Sequence, residues 1–326
     1  FQIKEFLEVA LAIAKSLHEL GENQIIHKDV KPHNIIYNPL TKVVKIIDFG
    51  SASLLSKENP EINMKNNLEG TLAYISPEQT GRMNCNVDYR TDFYSLGISL
   101  YQMIVGELPF NTVDPMELVH SHIAVNPIPP IEKRKDIPLI VSDIILKLIR
   151  KSPEDRYQTM DGLIYDLEWC LKNISDTQSI KVSLDKSANN FKIGSFDYSS
   201  KFKIPEKLYG REKEKESIFR IFRNACEGNL ELALVNGYSG IGKTALINEM
   251  QKPIVEQKGY FIRGKYDKFK RSIPYRALIY SFQDLMEQIL AESETRVSYW
   301  KKEILNALGN NGKIITDVIP ELETLI

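Results

Sequence analysis

Three side chains that could do chemistry sit within eight residues, His27-Lys28-Asp29-Val30-Lys31-Pro32-His33-Asn34: an acid, a lysine and an amide at offsets zero, two and five. A second acid opens Asp48-Phe49-Gly50, fourteen residues after Asn34. Much later, Gly237-Tyr238-Ser239-Gly240-Ile241-Gly242-Lys243-Thr244 fits G-x-x-x-x-G-K-[ST]. The later group suits phosphate chemistry. Phosphoryl transfer asks little covalent work of a protein: phosphates and metal must be clamped and the attacking hydroxyl aimed. In the later stretch, Gly237, Gly240 and Gly242 let successive backbone N–H groups curl around a phosphate. Lys243 can then reach the β- and γ-phosphates of a nucleotide, and Thr244 can bind magnesium.

The elements around these residues are readable from periodicity. Ile3, Phe6, Leu7, Ala10, Ile13, Ala14, Leu17 and Leu20 share one face of a helix over residues 1–20 that Gly21 is expected to close. Ile35-Ile36-Tyr37, a turn at Asn38 to Thr41 and Val43 to Ile47 read as a two-stranded hairpin that folds Asp48 back beside Asp29. Ser51 to Asn67 is polar and loop-like. Asp92 to Ile104 is apolar around most of its circumference, the mark of a buried helix. Further helices are expected over 115–123, 139–150 and 160–171. Residues 174–206, rich in Ser, Lys, Asn and Asp with scattered aromatics, read as a linker, one whose Phe191, Phe196, Tyr198 and Phe202 could dock on a neighbour. A charged helix over 212–226, a strand over Leu230 to Val235 and a helix from Ala245 to Met250 then give the glycine-rich stretch its strand-loop-helix setting.

The first group, in its order, resembles the catalytic and metal-binding loops of protein kinases, H-R-D-L-K-P-x-N followed by D-F-G, with Lys28 where arginine is usual. Gly70-Thr71-Leu72-Ala73-Tyr74-Ile75-Ser76-Pro77-Glu78 is similar to the kinase substrate-docking segment, with Ser76 in place of alanine. The resemblance covers residues 1–173 and implies a mainly α carboxy-terminal lobe; the family's glycine-rich loop and V-A-I-K lysine are not found among these residues. It implies that Asp29 accepts or orients the substrate hydroxyl proton, and that Lys31 neutralises charge on the phosphoryl group, the variant typical of serine/threonine specificity. It also implies that Asn34 and Asp48 hold Mg2+, that Thr71 bonds Asp29 and Lys31, that Asp92 accepts catalytic-loop backbone hydrogen bonds, and that Glu78 and Arg156 form a buried ion pair.

Residues 207–326 look like the amino-terminal part of an α/β P-loop NTPase of the AAA-related signal-transduction (STAND) class, in which the Gly210-Arg211-Glu212 segment lies near the nucleotide base. Gly264 to Asp267 and Ile273 to Leu278 look like the same subgroup. No convincing Walker B is present: Ile314-Ile315-Thr316-Asp317 is the nearest candidate and fits an apolar central strand poorly, so that part is expected beyond Ile326. The two halves together resemble the large, mostly bacterial fusions of serine/threonine kinase, AAA-type ATPase and sensor histidine kinase. That resemblance implies ATP and Mg2+ as cofactors, protein substrates that include the chain itself, and sensor and histidine-kinase modules downstream. A pseudokinase scaffold that senses nucleotide through Lys243 is the alternative.

Composition is consistent with this reading. The chain has 326 residues, 43% hydrophobic and 26% charged, enough for two cores. A net charge of -1 gives no support to a nucleic-acid face. Cys85, Cys170 and Cys226 are far apart and form no C-x-x-C, which favours a reduced, cytoplasmic compartment. No run of eighteen apolar residues and no leader is visible. The start at Phe1 and the stop at Ile326 read as those of a piece of a longer protein. His120 and His122, two apart on one helix, are expected on the surface and not at a metal.

Overall fold

The computed structural model describes residues 2–54, 71–83, 86–173, 191–198, 208–264, 266, 275–290, 292, 294–309, 312–316 and 318–325. Helix α1, Ile3–Glu22, buries Ile3, Phe6, Leu7, Ala10, Ile13, Ala14 and Leu17, the stripe its spacing predicts. Gly21 does not close it. The helix runs through to Glu22, and Asn23 caps it by donating from Nδ2 to the Glu19 carbonyl at 2.8 Å, before Gln24 turns the chain at φ 58°. The side-chain bond adds to the one that the Asn23 backbone N–H makes to the same carbonyl at 3.3 Å, so the helix end is held at Asn23.

After the short strand β1 (Ile25–Ile26) comes the expected hairpin, β2 (Ile35–Asn38) against β3 (Val43–Ile46), antiparallel with Ile35 opposite Ile46. Its turn is an Asx turn, with Asn38 Oδ1 accepting from the Leu40 and Thr41 amides at 2.9 and 3.2 Å. Strand β4 (Ser53–Leu54) pairs with β1, closing the segment that carries Asp48 over the loop that carries Asp29.

Helix α2, Arg90–Val105, is the buried centre: thirteen of its sixteen residues are buried, which leaves no polar face. Gly97 lets the end of α5 (Leu139–Leu148) approach, since a Cβ there would lie 2.6 Å from Ile149 Cγ2 and 2.7 Å from Leu148 Cβ. Gly106, at φ 94°, ends α2 in the left-handed conformation that glycine adopts freely. Helix α3 (Pro115–Ala124) is capped by Asp114, whose Oδ1 accepts from the Met116 and Glu117 amides at 2.8 and 3.0 Å. A short α4 (Pro130–Lys133) and then α6 (Met160–Asn173) complete this region, and α6 packs along α1.

His122 overturns the surface expectation. Its side chain is fully buried, its Nδ1 lies 2.9 Å from the Tyr94 hydroxyl, and its ring meets Phe110 edge-on at 5.1 Å. Two residues along a helix turn a side chain to another face, and here that face is the one α2 covers. Burial, with the neighbouring Lys151 charge, pushes its pKa down to about 3. The unfolded chain therefore binds a proton that the folded one refuses between pH 6.5 and about 3. Stability contributed by neutral His122 is complete above that window and falls by roughly 1.4 kcal/mol per pH unit on descent through it. Chemical denaturation midpoints measured from pH 7 to pH 4 should show that slope, and His122→Gln should flatten it.

The aromatic segment past α6 docks as the linker reading anticipates. Phe191 stacks on Trp169 at 4.0 Å and Phe196 lies 4.1 Å from Tyr165. Asp197 accepts from the Gln158 and Thr159 amides and from Thr159 Oγ1, at 2.8 to 2.9 Å. Tyr198 is exposed, and Phe202 lies outside the described residues.

Residues from 208 onward form helices α7 (Glu212–Cys226), α8 (Lys243–Asn248), α9 (Gln251–Glu256), α10 (Arg276–Leu290), α11 (Glu294–Leu308), α12 (Gly312–Thr316) and α13 (Glu321–Leu325). Met286, Ile289, Leu322 and Leu325 gather in a small core there. The expected strand at Leu230 to Val235 is not one: no strand is assigned among the described residues of this region, and Leu230, Leu232 and Leu234 are exposed. A parallel strand is held by its neighbours, and none lies beside this stretch among the described residues. The weak Walker B candidate falls in helix α12, with Asp317 outside the described residues. No helix among the described residues is long and apolar enough to cross a membrane.

Candidate functional site

The catalytic-type loop is built around a buried carboxylate. Asp29 is 7% exposed. Its Oδ2 accepts from Lys31 Nζ at 2.7 Å and from Asn34 Nδ2 at 3.0 Å, and its carbonyl accepts from the same Asn34 nitrogen at 2.9 Å. Its Oδ1 is buried and has no partner among the described residues. Such an oxygen costs about 1–3 kcal/mol to leave unpaired, a penalty that a substrate hydroxyl would relieve. Pro32 begins the 3-10 turn Pro32–Asn34 that brings the amide back onto the acid.

The loop hangs from α2. Asp92 accepts the His27 amide on Oδ2 at 2.8 Å and the Lys28 amide on Oδ1 at 2.7 Å, as the resemblance implies. Lys28 adopts a left-handed backbone, φ 65°, and so does Asp48, φ 66°. Non-glycine residues in that region cost on the order of 1–3 kcal/mol each and gather at functional sites. The Asp92 carboxylate fixes Lys28 there.

His27 joins the two loops. Its Nδ1 accepts from the Asp29 amide at 3.3 Å and its Nε2 lies 3.1 Å from the Ile47 carbonyl, which together require the neutral tautomer with the proton on Nε2. Burial lowers its pKa and favours that form. Phe49 meets its ring edge-on at 5.0 Å. The Asp48 segment is thereby held against the Asp29 loop.

Asn34 spends its amide nitrogen on Asp29, which leaves Oδ1 as an acceptor on the opposite side of the amide. Together with Asp48 it offers one carboxylate and one carbonyl oxygen. Among the described residues no group of three His, Cys, Asp or Glu side chains gathers around a metal position. Mg2+ needs no such cluster, because it binds through one or two carboxylates with waters and substrate phosphates, so the residues present fit it. The Thr71 side chain lies outside the described residues; its backbone opens the 3-10 turn Thr71–Tyr74.

The Glu78 and Arg156 pair is as implied: Nη1 to Oε1 is 2.6 Å, Nη2 to Oε2 is 2.7 Å, and the side chains are 1% and 0% exposed. Gln79 escaped the sequence reading. Its Nε2 donates to the Lys28 carbonyl at 2.9 Å while its Oε1 accepts from the Ser76 amide at 3.1 Å and hydroxyl at 3.0 Å. It thus ties the docking segment to the catalytic-type loop. The S-x-x-Q spacing of a capping box was the signal available for it.

In the phosphate loop, Gly240 and Gly242 take φ values of 82° and 93°, open to glycine and closed to most other residues. Lys243, first residue of α8, folds over the loop and donates from Nζ to the Gly237 and Tyr238 carbonyls, both at 2.8 Å. Thr244 follows it and is exposed. Arg211 Nη2 donates to the Ile241 carbonyl at 3.3 Å, which brings the Gly210-Arg211-Glu212 segment to this loop.

Comparison with known proteins agrees with both halves. Residues 1–166 match the protein kinase domain family and residues 207–324 the AAA ATPase domain family. The chain is 32% identical to hybrid signal transduction histidine kinase G of Dictyostelium discoideum over 98% of its own length and 12% of that protein's. It is 39% identical to a probable serine/threonine-protein kinase of Clostridium perfringens over 55% of this chain and 26% of the relative. It is 27% identical to histidine protein kinase 1 of Candida albicans over 95% of this chain and 13% of the relative. The chain thus spans between about an eighth and a quarter of the length of these relatives. With a kinase domain over its first half and an AAA ATPase domain after it, both of kinds that use ATP, this chain belongs to the protein kinase family.

Proposed function

We propose that the parent protein transfers the γ-phosphoryl group of ATP to serine or threonine hydroxyls of proteins, itself included, and that the ATPase domain regulates this transfer. The observation that carries the reading is the buried Oδ1 of Asp29, unpaired among the described residues and set beside an oxygen already held by Lys31 and Asn34. Asp29 is then the group that takes the hydroxyl proton. Lys31 neutralises charge as it builds on the phosphoryl oxygens. Asn34 and Asp48 hold Mg2+, which when bound draws charge off the phosphates, and Thr71 steadies Asp29 and Lys31. Lys31 and the clostridial relative support serine/threonine specificity.

We assign residues 1–173 to a kinase carboxy-terminal lobe, 174–206 to a linker and 207–326 to the opening of a STAND-type ATPase. The Dictyostelium and Candida relatives support a signalling role beside histidine-kinase modules, and the dispersed cysteines support a cytoplasmic site. Transfer of labelled phosphate from ATP by the full-length protein is the test. Absence of transfer, or transfer that survives Asp29→Asn, removes the kinase assignment.

In the second domain Gly237, Gly240, Gly242, Lys243 and Thr244 cradle nucleotide phosphates and Mg2+, with Arg211 alongside. The fit rests on the left-handed glycines and on a lysine that already reaches back across the loop. Lys243→Ala should weaken ATP binding to this domain at least tenfold by calorimetry; unchanged affinity would discard the assignment.

A further inference from the structure

Helix α9 lies on the kinase half. Val255, 6% exposed, joins Leu72, Val119 and Ile123 in one apolar cluster, with Ile75, Met83 and Leu118 at its edge. Leu72 and Ile75 belong to the docking-type segment, Met83 follows it, and the other three belong to α3. Polar contacts surround this patch. The Glu256 carbonyl is 3.4 Å from His120 Nε2, and Lys258 Nζ is 3.3 Å from Glu117 Oε1. Arg82, just past the docking segment, lines the seam together with Tyr260 and Glu292 of the ATPase region. A cleft of about 140 Å³ between the halves is lined by Arg82, Met116, Val255 and Tyr260. Ligand pockets run to roughly 300–1,000 Å³, so this gap belongs to an interface.

The same helix is joined to the phosphate loop. Lys243 is the first residue of α8, and only Glu249 and Met250 separate α8 from α9. Leu246 and Met250 are buried, and Glu249 pairs with Lys215 of α7. To serve a nucleotide, Lys243 must exchange the Gly237 and Tyr238 carbonyls for phosphate oxygens, and that exchange occurs at the first residue of the helix pair.

We infer that α9 is a block in cis on the substrate-docking face of the kinase domain, released when ATP engages the phosphate loop. The inference rests on the assignment of that face and of Lys243 given above. A protein substrate and α9 compete for Leu72, Ile75 and the adjoining face of α3. ATP shifts the balance because it engages Lys243 differently in the two arrangements, the differential affinity that any such coupling requires.

Amide hydrogen exchange on the full-length protein tests this without relying on phosphotransfer. In the wild type, Leu72 to Ser76 and Val119 to Ala124 should be protected, and saturating ATP should speed exchange there at least tenfold. Val255→Asp should give the fast pattern without ATP, and Lys243→Ala should hold the slow pattern with it. Lys258→Glu, on the exposed rim where it cannot disturb folding, should move exchange in the same direction as Val255→Asp by a smaller factor. Identical exchange in the wild type and both seam variants would mean that no block exists. ATP that binds by calorimetry yet leaves exchange unchanged would end the coupling. Loss of the Asp29 prediction alone would sink the kinase assignment and leave these exchange results standing.

Discussion

Arg156→Ala should be the most destabilising single change in the kinase half, lowering its stability by about 3–5 kcal/mol and its thermal midpoint by roughly 10 °C. Arg156 uses all five of its N–H donors: Nε on the Arg150 carbonyl, Nη1 on Glu78 and the Arg90 carbonyl, Nη2 on Glu78 and the Lys151 carbonyl. Its guanidinium also lies 4.8 Å from the centre of the Tyr94 ring. Truncation therefore strands a buried carboxylate and three carbonyls at once. Thr91 Oγ1 still donates to Glu78 Oε1 at 2.8 Å, which is too little to hold a desolvated charge. Arg156→Met with Glu78→Gln should recover part of the loss, because it removes both charges together. Scanning calorimetry of the three proteins decides it, and a loss below 1 kcal/mol in the single variant would show that water reaches Glu78.

Asp29→Asn should lower the turnover of phosphotransfer by about 10²–10⁴-fold, the range for removing a positioned general base. The amide keeps the size of the carboxylate, so Asn34 and Asp48 stay in place and the KM for ATP should change little. What is lost is an acceptor for the hydroxyl proton and the carboxylate charge that pairs with Lys31. A thermal midpoint within a degree or two of the wild type would assign the loss to chemistry. A variant that transfers phosphate as fast as the wild type would leave the kinase half as a scaffold.

The site was legible in the sequence where its geometry is set by neighbours along the chain. Asp29, Lys31 and Asn34 fall within one turn-rich loop, so spacing alone brings these three together, and the hairpin that leads to Asp48 has its own turn chemistry at Asn38. Asp92, Glu78 and Arg156 are distant partners, reached through family resemblance and not through pattern. His122 was misread because helix periodicity says which residues share a face, not which face a neighbouring helix covers. The strand expected at Leu230 to Val235 failed for a related reason: strand propensity is realised only where a second strand supplies the ladder. Gln79 lay within reach, since a capping-box spacing announced it, but the carbonyl it bonds is fifty-one residues away.

The stacking of Phe191 and Phe196 on α6 has a consequence for how strongly the two halves can influence each other. With residues 191–198 pinned, nine residues separate the fixed point at Tyr198 from Leu208, where the ATPase region begins to be described. Covalent geometry caps the distance between those two ends at about 35 Å. Confinement within that distance keeps α9 at an effective concentration near the millimolar range beside α3. An intrinsic affinity of only about 4 kcal/mol is then enough to keep the block half occupied. Were the aromatics to let go, thirty-four residues would separate the end of α6 from Leu208, the covalent limit on the distance would rise accordingly, and the local concentration would drop several-fold. The grip of Trp169 and Tyr165 thus sets the gain of the connection between nucleotide and kinase.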